Sequence, residues 1–119
     1  MKVLICDDES DIRLLYRSAF QQHGADVVVA RDGDECVKAA ETDQPDMVVL
    51  DLMMPVRDGF STLSELHGRW PSTQVFIVSA YASPENFSRS KDLGAEDCFD
   101  KLDFLGRIPG LIAACGTAA

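Results

Sequence analysis

Two apolar patterns alternate along this chain and predict its secondary structure. Short runs of consecutive apolar residues, such as residues 3–6 and 48–50, are typical of strands that are buried on both faces of a sheet. Between these runs, apolar residues recur at intervals of three and four, which is typical of helices that bury one face. The predicted strands are residues 2–6, 26–30, 46–50, 74–78 and 97–100.

Polar caps and glycines indicate where the first three helices begin and end. The first helix ends at Gly24, and the second begins after Asp32 and runs to about Thr42. The third extends from its cap, Asp58, to Gly68. Each of these helices carries apolar residues at helical spacing, and we expect that face to be buried.

The last two helices are predicted to be less regular. Ser83 caps the fourth, which has only Phe87 and Leu93 as large apolar residues, so we expect it to be the least firmly docked. Pro109 interrupts the apolar repeat of the fifth helix. Because proline removes a backbone donor and clashes one turn back, this helix is expected to start late or to kink. Residues 116–119 are predicted to be a loose tail.

The alternation of strand and helix, five times over, predicts an α/β fold in which helices cover both faces of a parallel sheet. The 119 residues are enough for one core and too few for two. No repeat, linker or low-complexity segment divides them. We therefore expect residues 1–119 to form a single domain.

Composition and charge argue against several classes of function. With 20 acidic and 11 basic residues the net charge is −9, which disfavours a nucleic-acid surface and favours a solvated acidic surface or a basic partner. The longest apolar run, residues 111–115, is too short to span a membrane, and we expect no signal peptide. The four cysteines lack metal-ligand and CxxC spacing, so we expect them to be reduced, buried residues of a cytoplasmic protein.

Polar functional groups stand at the ends of four predicted strands. Asp7 and Asp8 follow the first strand, Asp51 the third, Ser79 the fourth and Lys101 the fifth. In a parallel sheet these ends lie at one edge, so groups far apart in sequence can converge. Singly, each has an ordinary explanation as a helix-start acid, a turn residue or a surface ion pair. Together they indicate a functional site, because the charged residues at these strand ends are all acids except for one lysine.

Crowded carboxylates beside a lysine and a hydroxyl suit a particular chemistry. Carboxylates repel one another unless a hard cation holds them ionised, and Mg²⁺ prefers one or two carboxylates, waters and a phosphate oxygen. The lysine adds a compact positive charge, so the set suits a transferred phosphoryl group. Since the chain has no glycine-rich phosphate loop, the most economical acceptor is Asp51 itself, acting as a carboxylate nucleophile.

At these residues the chain resembles the receiver domain of two-component response regulators, and the resemblance covers residues 2 to about 114. The matching positions, in chain order, are Asp7-Asp8, Asp51 within DLMMPVRDG, Ser79-Ala80, Gly94-Ala95 and Lys101. The resemblance implies a doubly wound, flavodoxin-like sheet with the strand order 2-1-3-4-5.

The resemblance also implies which residues bind the metal and accept the phosphoryl group. Asp51 would accept it from a phosphohistidine on a sensor histidine kinase or a histidine phosphotransfer protein. Asp8, Asp51 and the backbone carbonyl of Met53 would hold Mg²⁺, with Asp7 acting through water. Asp7 and Asp8 are adjacent, so both can reach the site only where the first strand has already ended.

Two further residues would contact the transferred group. Lys101 would pair with the phosphoryl oxygens, and Ser79 would donate a hydrogen bond to them and move towards them. This movement would couple modification to the face formed by helix four, strand five and helix five, which binds an unknown downstream protein. Such a chain is not a conventional enzyme, because it catalyses only its own phosphorylation and slow dephosphorylation.

Several positions depart from the family pattern. Cys98 stands where the family usually has an aromatic switch residue, and Phe99, one residue along the strand, should face the other way. We hypothesise that the switch is absent or relocated to Tyr81. Leu102 replaces the usual cis-proline, and because a non-proline cis bond costs about 3 kcal/mol we expect a trans bond. Neither Met53 nor Tyr81 can orient water as a carboxylate or amide can, which predicts slow hydrolysis of the phospho-aspartate.

Two alternatives compete with a phosphorylated receiver. A degenerate receiver, acting as a phosphorylation-independent interaction module, would account for Cys98 and Leu102. It would retain little of the site, however, whereas this chain has both acids, the acceptor, the hydroxyl and the lysine. A Mg²⁺-dependent phosphatase with an aspartyl nucleophile generally has a second aspartate two residues after the first, and here that residue is Met53. We therefore predict a competent receiver.

Overall fold

Five parallel strands form one sheet within residues 1–80 and 83–116, which are the residues that the structure, a computed structural model, describes. The strands are β1 (Lys2–Cys6), β2 (Asp26–Ala30), β3 (Met47–Asp51), β4 (Gln74–Ser79) and β5 (Asp97–Asp100). Their order across the sheet is β2-β1-β3-β4-β5, as the family resemblance implies. β3 and β4 extend one residue beyond their predicted carboxyl ends, so Asp51 and Ser79 are the last residues of their strands.

A helix follows each strand, and side-chain caps define three of the helix starts in the described residues. The helices are α1 (Ser10–Gln22), α2 (Gly33–Asp43), α3 (Gly59–Arg69), α4 (Pro84–Asp92) and α5 (Lys101–Gly116). Asp32, Asp58 and Ser83 each accept a hydrogen bond from the backbone N–H three residues later. The predicted starts of α2, α3 and α4 are therefore confirmed.

Helices cover both faces of the sheet, because alternate strand residues point to opposite sides. On one side, strand residues such as Leu4 and Leu50 pack against α2 and α3, with side chains of α4 at the margin. On the other side, residues such as Val49 pack against α1 and α5, where the rings of Tyr16 and Phe104 are buried. The predicted doubly wound α/β class is confirmed.

The last two helices differ in how firmly they pack. Among the described residues of α4, Ser90 alone is buried, which supports the expectation that α4 is the least firmly docked. For α5, a late start or a kink is expected at Pro109, and the late start is wrong, because the helix begins at Lys101 and continues through Pro109. Phe104 and Ile108 are fully buried against α1 and the sheet, and this packing holds the helix across the proline.

Two buried cysteines form a disulfide that their spacing does not indicate. Cys6, at the end of β1, is bonded to Cys36 in α2, and their Cα atoms lie 5.9 Å apart. The prediction that all four cysteines are reduced is therefore wrong for this pair, because α2 packs on β1 and brings together residues 30 apart in sequence. Cys98 and Cys115 are free, and Cys98 is buried as expected.

The remaining expectations concern helix length and the end of the chain. Within residues 1–80 and 83–116, no helix is long and apolar enough to cross a bilayer. α5 includes Gly116, where the loose tail is predicted to begin. The rest of that tail, residues 117–119, lies outside the described residues, as does Tyr81.

Candidate functional site

Three carboxylates converge on one ammonium at the carboxyl edge of the sheet. Within the described residues, Lys101 Nζ lies 3.0 Å from Asp7 Oδ2, 3.0 Å from Glu9 Oε1 and 3.1 Å from Asp51 Oδ2. The side chains of Asp7 and Asp51 are only 3% exposed, whereas that of Glu9 is 60% exposed. The structure therefore brings together acids that follow β1 and end β3 with the lysine that follows β5, as predicted.

Backbone hydrogen bonds fix both buried carboxylates in the same way. The backbone N–H of Glu9 donates to Asp7 Oδ1 at 2.9 Å, and that of Met53 donates to Asp51 Oδ1 at 3.1 Å. Each aspartate thus accepts from the residue two positions later, the local pattern that aspartates favour where a strand or helix gives way to a turn. In each aspartate, Oδ1 accepts a hydrogen bond from the backbone and Oδ2 faces the ammonium of Lys101.

Burial dominates the electrostatics of these two acids. It raises the pKa of Asp51 to about 6, against the lowering effect of the Met53 N–H; the charge of Asp7 raises it further and Lys101 lowers it. Burial also raises the pKa of Asp7, although hydrogen bonds from the Glu9 N–H and Lys101 oppose the rise. One ammonium does not fully compensate two buried carboxylates, so the site favours a further cation.

Lys101 itself stays protonated. Burial disfavours its ammonium, but hydrogen bonds to Asp7 and Glu9, together with the charge and hydrogen bond of Asp51, raise its pKa above the ordinary value. It is therefore a fixed positive charge at this edge of the sheet and has no proton to take up in the neutral range. Such a group suits charge neutralisation rather than general-base chemistry.

The donor set of the site fits a hard divalent cation. Asp7, Asp8 and Asp51 each offer a carboxylate oxygen, and these oxygens lie within 4.8 Å of one another. Asp8 is exposed while the other two are buried, so an ion held here would keep contact with water. Oxygen-only donors with access to water are what Mg²⁺ prefers. Asp7 and Asp8 both reach the site because β1 ends at Cys6.

Ser79 and Met53 lie beside this cluster. Ser79 is fully buried at the end of β4, one residue past Val78, which is the register partner of Asp51. Met53 is in the loop after β3, where its backbone N–H contacts Asp51 and its side chain is 59% exposed. The residues chosen from the sequence thus occupy one edge, and their individual roles remain predictions.

Three residues of α1 and its start contact the site and are missed by sequence reasoning. Glu9 pairs with Lys101 as described above. Arg13 donates to the backbone carbonyl of Asp7 at 2.8 Å, and the Tyr16 hydroxyl donates to the carbonyl of Lys101 at 3.3 Å. The acid directly after Asp7-Asp8 is the one signal in the sequence that could have indicated such a contact, since the other two bonds go to backbone atoms.

The loop between β3 and α3 is held in a constrained shape. Val56 has φ +72°, a left-handed conformation that a β-branched residue rarely adopts. A Cβ atom on Gly59 would overlap the backbone of Leu52, so this position requires glycine. Arg57 closes the loop onto α3 through an ion pair with Glu65 at 2.7 Å. The close approach to Leu52 explains why glycine directly follows Asp58, the cap residue of α3.

The departures from the family pattern are visible in β5 and α5. The thiol of Cys98 contacts the carbonyl of Phe87 in α4, whereas the ring of Phe99 lies on the other face of the sheet, with its centroid 5.5 Å from that of Phe104. The prediction that the side chain of Phe99 faces the opposite side of the sheet from that of Cys98 is confirmed. No peptide bond within the described residues is cis, so the bond before Leu102 is trans, as expected. The hypothesis about Tyr81 falls outside the described residues.

Sequence comparisons identify relatives of this chain. The model of the response regulator receiver domain matches residues 3–105. Alkaline phosphatase synthesis transcriptional regulatory protein PhoP of Bacillus subtilis is 37% identical over 102 residues, which cover 84% of this chain and 42% of that protein. Transcriptional regulatory protein PrrA of Mycobacterium bovis is 30% identical, over 99% of this chain and 52% of its own length. The chain thus spans about half the length of the curated relatives it matches.

Solved structures of receiver domains are also similar to this chain. The receiver domain of the Francisella response regulator 1452 has a TM-score of 0.82 and 32% identity, and the match covers 95% of this chain and 97% of that one. The BeF3-activated N-terminal receiver domain of Klebsiella pneumoniae RstA has a TM-score of 0.83 and 27% identity, with coverage of 92% and 96%. This chain therefore belongs to the family of response regulator receiver domains of two-component systems.

Proposed function

We propose that Asp51 accepts a phosphoryl group, with Mg²⁺ bound, from a phosphohistidine on a sensor histidine kinase or a histidine phosphotransfer protein. The observation that carries this proposal is the convergence of Asp7, Asp51 and Lys101, with Asp8 near enough to share a cation. A buried carboxylate beside a permanent ammonium is a nucleophile whose product, an acyl phosphate, is stabilised by the same ammonium.

The reaction is a displacement at phosphorus. A carboxylate oxygen of Asp51 attacks the phosphorus atom, a P–O bond forms as the P–N bond to histidine breaks, and the electron pair returns to the imidazole nitrogen. Mg²⁺, when bound by Asp8, Asp51 and the carbonyl of Met53, with Asp7 acting through water, supplies positive charge to the phosphoryl oxygens. Lys101 neutralises a further oxygen, and the hydroxyl of Ser79 donates a hydrogen bond to another.

The output would be a change at the face formed by α4, β5 and α5. Ser79 ends β4 and is paired in register with Asp100 of β5, so a movement of Ser79 towards a phosphoryl group would reach this face directly. α4 has one buried residue, Ser90, among those described, so this helix can shift at a low cost in free energy. We propose that a downstream protein binds this face and that residues 1–119 act as a single receiver domain.

Phosphorylation with a small donor tests the proposal. The chain is incubated with Mg²⁺ and acetyl phosphate, and its intact mass is compared with that of Asp51→Asn and of the control Asp26→Asn. Asp26 is an exposed aspartate that begins β2, at the opposite end of a strand from the site. The wild type and Asp26→Asn should gain one phosphoryl group, and Asp51→Asn none. If the wild type gains no mass with a donor active on another receiver, the interaction-module alternative replaces this proposal.

A further inference from the structure

All three N–H groups of the Lys101 ammonium can be assigned to carboxylates in the described structure. An ammonium carries three N–H groups, and three carboxylates lie within hydrogen-bond distance of Nζ, those of Asp7, Glu9 and Asp51. A phosphoryl oxygen can therefore gain a hydrogen bond from Lys101 only if one of these carboxylates gives up its own.

Before the phosphoryl group is transferred, Asp7 and Asp51 are poorly suited to leave Lys101. After transfer Asp51 is itself an acyl phosphate, and its phosphoryl oxygens compete with Glu9 for the ammonium. The Oδ1 atoms of both aspartates are held by backbone N–H groups, and both side chains are 3% exposed, so neither can turn towards water. In the absence of a bound cation, a buried carboxylate that lost its ammonium would stay desolvated and uncompensated, and even with Mg²⁺ bound it would still be buried. Glu9 is different, because its side chain is 60% exposed and reaches the same Nζ from the solvent side. An exposed carboxylate that gives up an ion pair regains hydration at little cost.

The position of Glu9 at the start of α1 gives a second, independent reason to expect that Glu9 is the carboxylate that leaves Lys101. Glu9 is the N-cap residue of α1, with an extended backbone (φ −87°, ψ 117°), yet its side chain makes no capping hydrogen bond within the described residues. Its backbone N–H is already committed to Asp7 Oδ1. The side chain thus does nothing for the helix start and is free to move without loosening α1 or Asp7.

We propose that Glu9 is a positioning residue that occupies the third donor of Lys101 until a phosphoryl oxygen displaces it. This inference rests on the proposed function of Asp51 as phosphoryl acceptor. In the resting chain, Glu9 holds the ammonium at the site and at the same time presents a negative charge to an arriving phosphate. On phosphorylation the Glu9–Lys101 hydrogen bond is exchanged for one between Lys101 and a phosphoryl oxygen, and Glu9 swings into solvent.

The proposal predicts that removing the competing carboxylate speeds phosphorylation. Glu9→Gln keeps the length of the side chain but removes its charge, and Glu9→Asp keeps the charge but withdraws it by one methylene group. Both variants should be phosphorylated by acetyl phosphate about two- to fivefold faster than the wild type, the range that an exposed ion pair is worth. The gain should appear as a lower donor concentration at half-maximal rate, because Glu9 competes with the arriving group.

The control is Asp11→Asn. Asp11 is an exposed acid in the first turn of α1 and is not among the described residues that pair with Lys101, so its removal changes the local charge alone. The phosphorylation rate of Asp11→Asn should equal that of the wild type. A second readout is the apparent dissociation constant of beryllofluoride in the presence of Mg²⁺, followed by NMR at the Met53 amide. This constant should fall by a similar factor in Glu9→Gln and stay unchanged in Asp11→Asn.

The outcomes separate this inference from the proposed function. If the wild type is phosphorylated on Asp51 but Glu9→Gln is no faster, or if Asp11→Asn is accelerated equally, the role of Glu9 is wrong and the acceptor role stands. If the wild type is not phosphorylated, both fall. Slower phosphorylation of both Glu9 variants, with unchanged thermal unfolding, would mean that Glu9 assists Lys101 instead of competing with phosphate.

Discussion

Without divalent cations, the Asp51 carboxylate should destabilise the folded chain at neutral pH, and Asp51→Asn should remove this effect. Burial is the main reason that the pKa of Asp51 rises from its ordinary value of 3.8 to about 6. A carboxyl whose pKa is higher in the folded state contributes stability that is fully present below the unfolded pKa. That stability is lost as the pH rises through about 6.

The size of the effect follows from the shift. A rise from 3.8 to about 6 corresponds to about 3 kcal/mol of unfolding free energy, and about half of it is lost between about pH 5 and about pH 8. The asparagine amide would face the ammonium of Lys101 with an N–H group, which costs about 1–2 kcal/mol at every pH. The diagnostic quantity is therefore the change with pH of the difference between the two proteins.

Urea denaturation in buffer with a chelator, at several pH values from about 5 to about 8, measures this difference. The unfolding free energy of the wild type should fall by about 1.5 kcal/mol relative to Asp51→Asn over that range. Asp11→Asn, which removes one exposed charge from α1, serves as the control. A difference between wild type and Asp51→Asn that stays constant, or that moves in favour of the wild type as pH rises, would refute the reasoning.

Three further predictions concern the cation and the loop after β3. Mg²⁺ at about ten times its dissociation constant should stabilise the wild type by about 1.4 kcal/mol, and Asp8→Asn should weaken this response in thermal unfolding. Val56→Gly should raise the unfolding free energy by about 0.5–1 kcal/mol in urea titrations, because a left-handed β-branched residue is strained; a loss of stability would contradict this. Gly59→Ala should lower it by about 2 kcal/mol or more, because the new methyl overlaps Leu52. The matched variant Gly68→Ala, in open space on α3 among the described residues, should gain about 0.5–1 kcal/mol.

Periodicity and cap chemistry are sufficient to predict a parallel sheet covered by helices and the edge at which the site lies, whereas the strand order follows from the family resemblance. Buried strands are apolar runs, and parallel strands place their carboxyl ends together, so Asp51 and Lys101, 50 residues apart, are predicted to lie at one edge of the sheet. The start of α5 does not follow from the local pattern, because Pro109 indicates an interruption, whereas the buried Phe104 and Ile108 belong to a helix that begins at Lys101. Tertiary packing of this kind does not appear in a local pattern.

The direction in which an exposed side chain turns does not follow from the sequence. The sequence places Glu9 after a strand, but it does not say whether an exposed glutamate turns towards α1 or towards a lysine 92 residues away. The disulfide between Cys6 and Cys36 does not follow from their spacing either, because it depends on how α2 lies across β1. Contacts between distant residues follow from assembled geometry, whereas strand ends follow from the chain itself.

The two oxygens of Asp51 are chemically equivalent in a free carboxylate but not in this fold. Oδ1 is held by the Met53 N–H and Oδ2 by Lys101, so the carboxylate plane has one orientation. A free carboxylate must give up rotational freedom in reaching a transition state, whereas here that entropy was already lost when the chain folded. For any reaction at Asp51, an incoming electrophile would meet a lone pair whose direction is set when the β3 loop folds.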